Sequence, residues 1–262
     1  MRVLALGDIV GRPGRRGLKQ VLPKLRQELR PDLIIANGEN AAGGIGLTQS
    51  VAEEIWEAGV DIITTGNHVW NKREIYPVLE REELLLRPAN YPPGTPGRGW
   101  TIWKNNEYSV AVVNLIGRTF LEPLECPFRV IDLLLSKIKR DADIIIIDFH
   151  AEATSEKVAF GWYVDGRASM VFGTHTHIQT ADNRILPNGT GYITDIGMTG
   201  PRDGVIGMDR EIVIQRFLTQ LPTRFKVAAG DVDIMGIWAD IDPACGRTLQ
   251  IERLYQTISL SY

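Results

Sequence analysis

At 262 residues with 44% hydrophobic composition, the chain can bury a full core, and one domain spanning residues 1–262 is expected. Lysine and arginine number 29 against 32 acidic residues, a formal net charge of -3, which argues against a protein that coats nucleic acid or sits on a membrane by charge. Cys126 and Cys245 are too few and too far apart for a secreted disulfide framework; with no signal-like or membrane-length apolar run, a soluble protein of the reducing cytoplasm is expected.

In chain order, VLAL at 3–6, LIIA at 33–36, DIITT at 61–65, IIIID at 144–148 and MVFG at 170–173 predict buried strands, because their apolar runs are continuous and do not alternate. Helical spacing appears between the early ones, at 18–29 and 50–59, with Thr48 or Ser50 available to cap the second helix. That is a βαβαβ opening. The Pro/Gly-rich stretch at 88–99 reads as an ordered loop, and a hairpin turning at Asn105-Asn106 follows it. Near the C-terminus, two more strands are joined by a turn from Asp242-Pro243 to Gly246. The pattern fits a mixed α/β domain with one large sheet, or two sheets packed face to face, and helices outside.

What stands at the carboxyl ends of the predicted strands is chemically uniform. The five ends carry Gly7-Asp8, Gly38-Glu39-Asn40, Gly66-Asn67-His68, Asp148-Phe149-His150 and Gly173-Thr174-His175-Thr176-His177, which include all four histidines of the chain. Ligands of open α/β sheets bind beyond such strand ends. Any one of these residues could cap a turn or satisfy a backbone group; their joint placement favours a metal site. Two carboxylates, several imidazoles and amide oxygens, with no thiolate, exceed one four-coordinate zinc and point to two ions, with Glu39 able to bridge them. Paired cations suit hydrolysis of a phosphate ester. The two-residue spacing of His175 and His177 lets one loop reach neighbouring ions, and the adjoining glycines let backbone approach the cluster.

GDIVG at 7–11, NGEN at 37–40, GNHVW at 66–70, DFHAEATSEK at 148–157 and GTHTHIQTAD at 173–182 resemble, in this order, the motifs of the YmdB-like branch of the calcineurin-type metallophosphoesterases, and the likeness continues through TDIGMTGPRDGVIG at 194–207. The resemblance implies an α/β four-layer sandwich of two mixed β-sheets flanked by helices. It implies Asp8, Glu39, Asn40 and His177 on one ion and Glu39, Asn67, His150 and His175 on the other. His68 would be the general acid that protonates the leaving ribose oxygen of a 2',3'-cyclic nucleotide. Iron or manganese are the metals implied, with zinc as the alternative, and self-association into a homo-oligomer fits the branch; no membrane partner is expected, and RNA as substrate stays open. Against the wider superfamily, Val10 stands where a histidine is usual, Glu39 where the bridging aspartate is usual, and Val69 where an acid follows G-N-H. The lost histidine makes Asn40 the natural substitute.

Two rival readings keep the same residues: a phosphomonoesterase or nucleotidase, and a metal-dependent regulatory binding protein with vestigial activity. GDIVGRPGRRG at 7–17 lacks the ending of a P-loop and reads as the metal-site turn plus a helix start. Arg12, Arg15 and Arg16 there could help hold a phosphate, though a solvated basic turn is the reading for at least two of them. Arg202 and Asp203 could border a substrate pocket and Trp70 could stack on a base; Trp56 and Trp103 read as core, and Lys157 as a helix residue without a role.

Overall fold

The computed structural model describes residues 1–260. The first third lays down β1 (Arg2–Leu6), β2 (Asp8–Ile9), α1 (Gly11–Leu29), β3 (Leu33–Asn37), α2 (Gln49–Glu57), β4 (Ile62–Thr64), α3 (Tyr76–Arg81) and β5 (Leu85–Leu86). The middle adds β6 (Trp100–Lys104), β7 (Ser109–Ile116), α4 (Pro127–Ile138), β8 (Ile144–His150), α5 (Thr154–Val164) and β9 (Met170–Thr174). The remainder consists of β10 (Arg184–Ile185), β11 (Gly191–Ile193), β12 (Met198–Pro201), α6 (Arg210–Thr219), β13 (Val232–Ile241) and β14 (Thr248–Ile258).

Two mixed sheets result. In the first, β1, β3, β4 and β5 run parallel, β13 pairs antiparallel with β1, β12 and β14, and β12 pairs in parallel with β2. In the second, ordered β10-β11-β9-β8-β7-β6, the four central strands are parallel and the edge strands antiparallel. The continuous apolar runs are explained by burial on both faces. Val3, Ala5, Leu33 and Ile35 meet Val112, Ile146 and Phe172 between the sheets. Their neighbours Leu4, Leu6 and Ile34 face the other way, onto Leu18 and Leu22 of α1 and Ile55 of α2. On the far side, Val113, Ile145 and Ile147 pack against Ile131 and Leu135 of α4 and Phe160 of α5. The stack is helix, sheet, sheet, helix.

Thr48 is the cap of α2, its hydroxyl accepting from Val51 N at 3.3 Å. The loop at 88–99 is tied down as expected, Ala89 N donating to Asn114 O at 2.7 Å. Both hairpins form where the turn residues placed them. Two boundaries differ. α1 begins at Gly11, seven residues before Leu18, because Gly14 lets it approach β12 so closely that a Cβ there would sit 2.2 Å from Thr199 O. β8 continues past Asp148 to His150. No helix among the described residues is long and apolar enough to cross a membrane.

Candidate metal centre

The parallel strands of both sheets deliver their carboxyl ends to one rim. Asp148, buried at the end of β8, bridges the sheets there: it accepts from Thr64 Oγ1 at 2.5 Å and Asn37 Nδ2 at 3.2 Å across the interface, and from Thr174 Oγ1 at 2.7 Å beside it. Around this anchor the residues singled out in the sequence come together in two groups.

The first group centres on His150 Nε2, which lies 3.2 Å from Glu39 Oε1, 3.0 Å from Asn67 Oδ1 and 3.0 Å from His175 Nδ1. Glu39, His150 and His175 offer atoms mutually within 4.8 Å, close enough to hold one ion. Gly66 leaves the space this needs: a Cβ there would fall 2.2 Å from His150 Nε2 and 2.3 Å from Glu39 Oε2. The second group brings His177 Nε2 to 3.8 Å from Asp8 Oδ1, and Asn40 is held beside His68, its Nδ2 3.2 Å from His68 Nδ1. Asp8 Oδ1 and Asn40 Oδ1 are buried without any hydrogen-bond donor. Burying an acceptor unpaired costs roughly 1–3 kcal/mol, a cost that a bound cation would relieve at either oxygen. A nitrogen and oxygen donor set without sulfur fits divalent metal ions.

The histidines divide by how their rings are held. His150 Nδ1 donates to Thr174 Oγ1 at 2.9 Å, His177 Nδ1 donates to Ile206 O at 2.9 Å, and His175 Nε2 donates to Glu152 Oε2 at 3.0 Å. Each thereby turns its other nitrogen toward the centre, the arrangement by which metal-binding imidazoles are oriented. His68 departs from it. Its Nδ1 accepts from Asn40 Nδ2 at 3.2 Å and its backbone N–H donates to Glu39 Oε2 at 3.0 Å. His175 and His177 both have positive φ, 97° and 63°, strain that persists only because their loop is fastened on both sides.

Charges follow from this crowding. Burial pushes the carboxyl of Asp8 up, partly offset by His177 and His150. Burial works in the same direction on Glu39, but His150 and His68 outweigh it and hold the group ionised. Burial and the adjacent His150 push His175 down to about 3, while Glu39 raises His150 to about 9 against its burial. In the metal-free protein a proton on His150 therefore balances Glu39.

The YmdB-like protein family matches residues 4–254. The chain belongs to the YmdB-like family. It is 54% identical over 254 residues, 97% of this chain and 96% of the relative, to the 2',3'-cyclic-nucleotide 2'-phosphodiesterase of Bacillus subtilis. A hypothetical protein from Thermus thermophilus superposes with a TM-score of 0.93 at 44% identity, covering 98% of this chain and 99% of that one. A novel phosphatase from Mycoplasma pneumoniae superposes equally well, 0.93 at 36% identity over 98% and 93% of the two chains.

Around the rim of this YmdB-like protein, the structure also shows residues that the sequence reading left out. Glu152, on the turn after β8, holds His175. Lys157, read as a helix residue without a role, is fully buried and pairs with buried Asp195 at 2.6 Å. Asp195 also accepts from Thr176 N at 3.2 Å and Thr176 Oγ1 at 2.8 Å, so this pair grips the loop midway between His175 and His177. Three side chains read more weakly have defined partners. Arg15 is not a solvated turn residue: in α1 it pairs with Glu54 at 2.6 Å and donates to Ala41 O. Trp70 is packed edge-on between Tyr76 and Tyr91. Arg202 is exposed and reaches Thr257 of β14 at 3.4 Å. Trp56 and Trp103 are half-buried against the core.

Proposed function

We propose that this YmdB-like protein is a dinuclear, metal-dependent phosphodiesterase that hydrolyses 2',3'-cyclic nucleotides. The observation that carries the reading is the division of the histidines: three are held from behind with the other nitrogen turned to one centre, and the fourth is not. Asp8, Glu39, Asn40 and His177 would hold one cation and Glu39, Asn67, His150 and His175 the other, with Glu39 shared. Two such cations supply a hydroxide at neutral pH and neutralise charge at phosphorus. Iron or manganese suit this donor set, and zinc is the alternative.

His68 takes the remaining role. Its side chain is 30% exposed, against 0% for His150 and 6% for His177, so it is the imidazole open to a substrate. In the resting ring Nδ1 accepts from Asn40; once charged, the ring would turn Nδ1–H toward Glu39 Oε1 at 3.5 Å and leave Nε2–H free to protonate a departing oxygen. Burial pushes its pKa down, so the charged ring is a stronger acid and a smaller fraction of the protein carries it at neutral pH. By analogy with the Bacillus subtilis relative, the departing group is the ribose 2' oxygen and the product a 3'-phosphate. The two free cysteines support a place in the reducing cytoplasm.

Elemental analysis of the purified protein, followed by turnover of 2',3'-cyclic AMP and of AMP after loading with manganese or iron, tests the proposal. About two ions per chain and preference for the cyclic ester are expected; preference for AMP would make the protein a phosphomonoesterase. His68→Ala should leave metal content intact and reduce turnover about 10²- to 10⁴-fold. Unchanged turnover would favour the binding-protein reading.

A further inference from the structure

Phe120 is held in a place that suits its side chain poorly. It is 86% exposed, more than any other large apolar side chain among the described residues, and its φ of 64° is left-handed, a genuine outlier for a bulky residue. Such strain persists only where the surroundings impose it. Here Arg118 N and Thr119 N both donate to the Glu156 carboxylate, at 3.0 and 3.1 Å. Buried Asn90 donates to Ile116 O at 2.8 Å and to Glu125 O at 3.0 Å, so the segment 117–125 is fastened at both ends.

This segment flanks the candidate centre. It leaves β7 at Ile116, in register with His150 of β8, and Gly117 N donates to His150 O at 2.9 Å. Three residues of extended chain span at most about 11 Å, so Phe120 stays within that reach of the strand end that carries His150. On the other side, burial lowers the pKa of His68 while the nearby charges of Glu39 and Glu122 oppose it, which puts Glu122, two residues past Phe120, close to that imidazole. The exposed ring is thus carried between a histidine of the first group and the proposed acid. Trp70, the aromatic that the sequence offers for stacking on a base, is engaged edge-on by Tyr76 and Tyr91 instead. A ring already exposed on a fastened segment loses little freedom when a flat partner covers it.

We infer that Phe120 is the residue on which the base of the nucleotide stacks while its phosphate is held at the centre. This rests on the cyclic-nucleotide reading of the site. Titration calorimetry of the manganese-loaded protein with 3'-AMP and with ribose 3-phosphate tests it without relying on turnover. The wild type should bind 3'-AMP roughly 5- to 150-fold more tightly than the base-free ligand, Phe120→Ala should remove that difference, and Phe120→Trp should keep it. In turnover of 2',3'-cyclic AMP, Phe120→Ala should raise KM by a similar factor at unchanged kcat. Phe120→Gly, which suits the left-handed backbone, should lose the base preference without lowering the melting temperature, separating loss of the ring from loss of the fold. Equal binding of the two ligands by the wild type, or a base preference that survives Phe120→Ala, would overturn the assignment. A wild type that hydrolyses no cyclic nucleotide, yet binds 3'-AMP with a preference that Phe120→Ala removes, would end the reaction reading and leave the stacking residue standing.

Discussion

The two halves of the candidate metal centre are built on opposite principles. Around His150, Glu39, Asn67 and His175 each bring an acceptor to 3.0–3.2 Å from Nε2, and the proton there stands in for positive charge. In the other half, the gap from Asp8 to His177 is 3.8 Å, and Oδ1 of Asp8 and of Asn40 have no donor at all. A cation entering the first half must displace a proton and break hydrogen bonds; one entering the second relieves a penalty already present in the fold. Preorganisation and unmet demand are different routes to affinity, and in the proposed site Glu39 would couple them.

Glu39→Gln gives the largest effect if that coupling is real: both ions should be lost together, with metal affinity and turnover falling at least about 10³-fold. Retention of one ion at full affinity in a metal titration would break the comparison. Lys157→Met comes next. It leaves Asp195 buried without its partner, which costs about 3–5 kcal/mol, and the melting temperature should drop by about 10 °C. Since Thr176 lies between His175 and His177, both halves should weaken in parallel; loss confined to one half would show that the loop does not move as a unit. Asn40→Ala should strip the Asp8-side ion first, weakening it by at least the roughly tenfold that outer partners of a metal are worth. Simultaneous release of both ions would count against the division.

The smallest effect is on pH. In the metal-free protein the His150 value of about 9 lies above the ordinary 6.5, so its contribution to stability is complete below about pH 6.5 and fades as pH rises through 9. The melting temperature of chelator-treated protein should fall across that window, and metal-loaded protein should lack this fall. A chelator-treated protein whose melting point rises there would remove the proton from the argument.

The centre is legible in the chain because parallel strands buried on both faces are conspicuous, and whatever follows each of them must reach the same rim. Asp8, Glu39, Asn67, His150 and His175 could be found by that rule alone. Glu152 and Lys157 could not, for reasons of packing. Glu152 looks like any exposed acid, and Lys157 is one of 29 basic residues whose burial depends on Asp195 arriving from a part of the chain 38 residues further on. β2, β5 and β10 have only two residues each, too few for any periodicity to register.

Gly66 offers an unusual handle on the molecule. Its backbone is outside the left-handed region, so alanine is conformationally acceptable, and the obstacle is purely the volume of one methyl group beside His150 and Glu39. Gly66→Ala would therefore remove no donor and change no charge, yet would push His150 and Glu39 out of place. Such a silent scaffold would let a cell report which of its responses need product and which need only the presence of the protein.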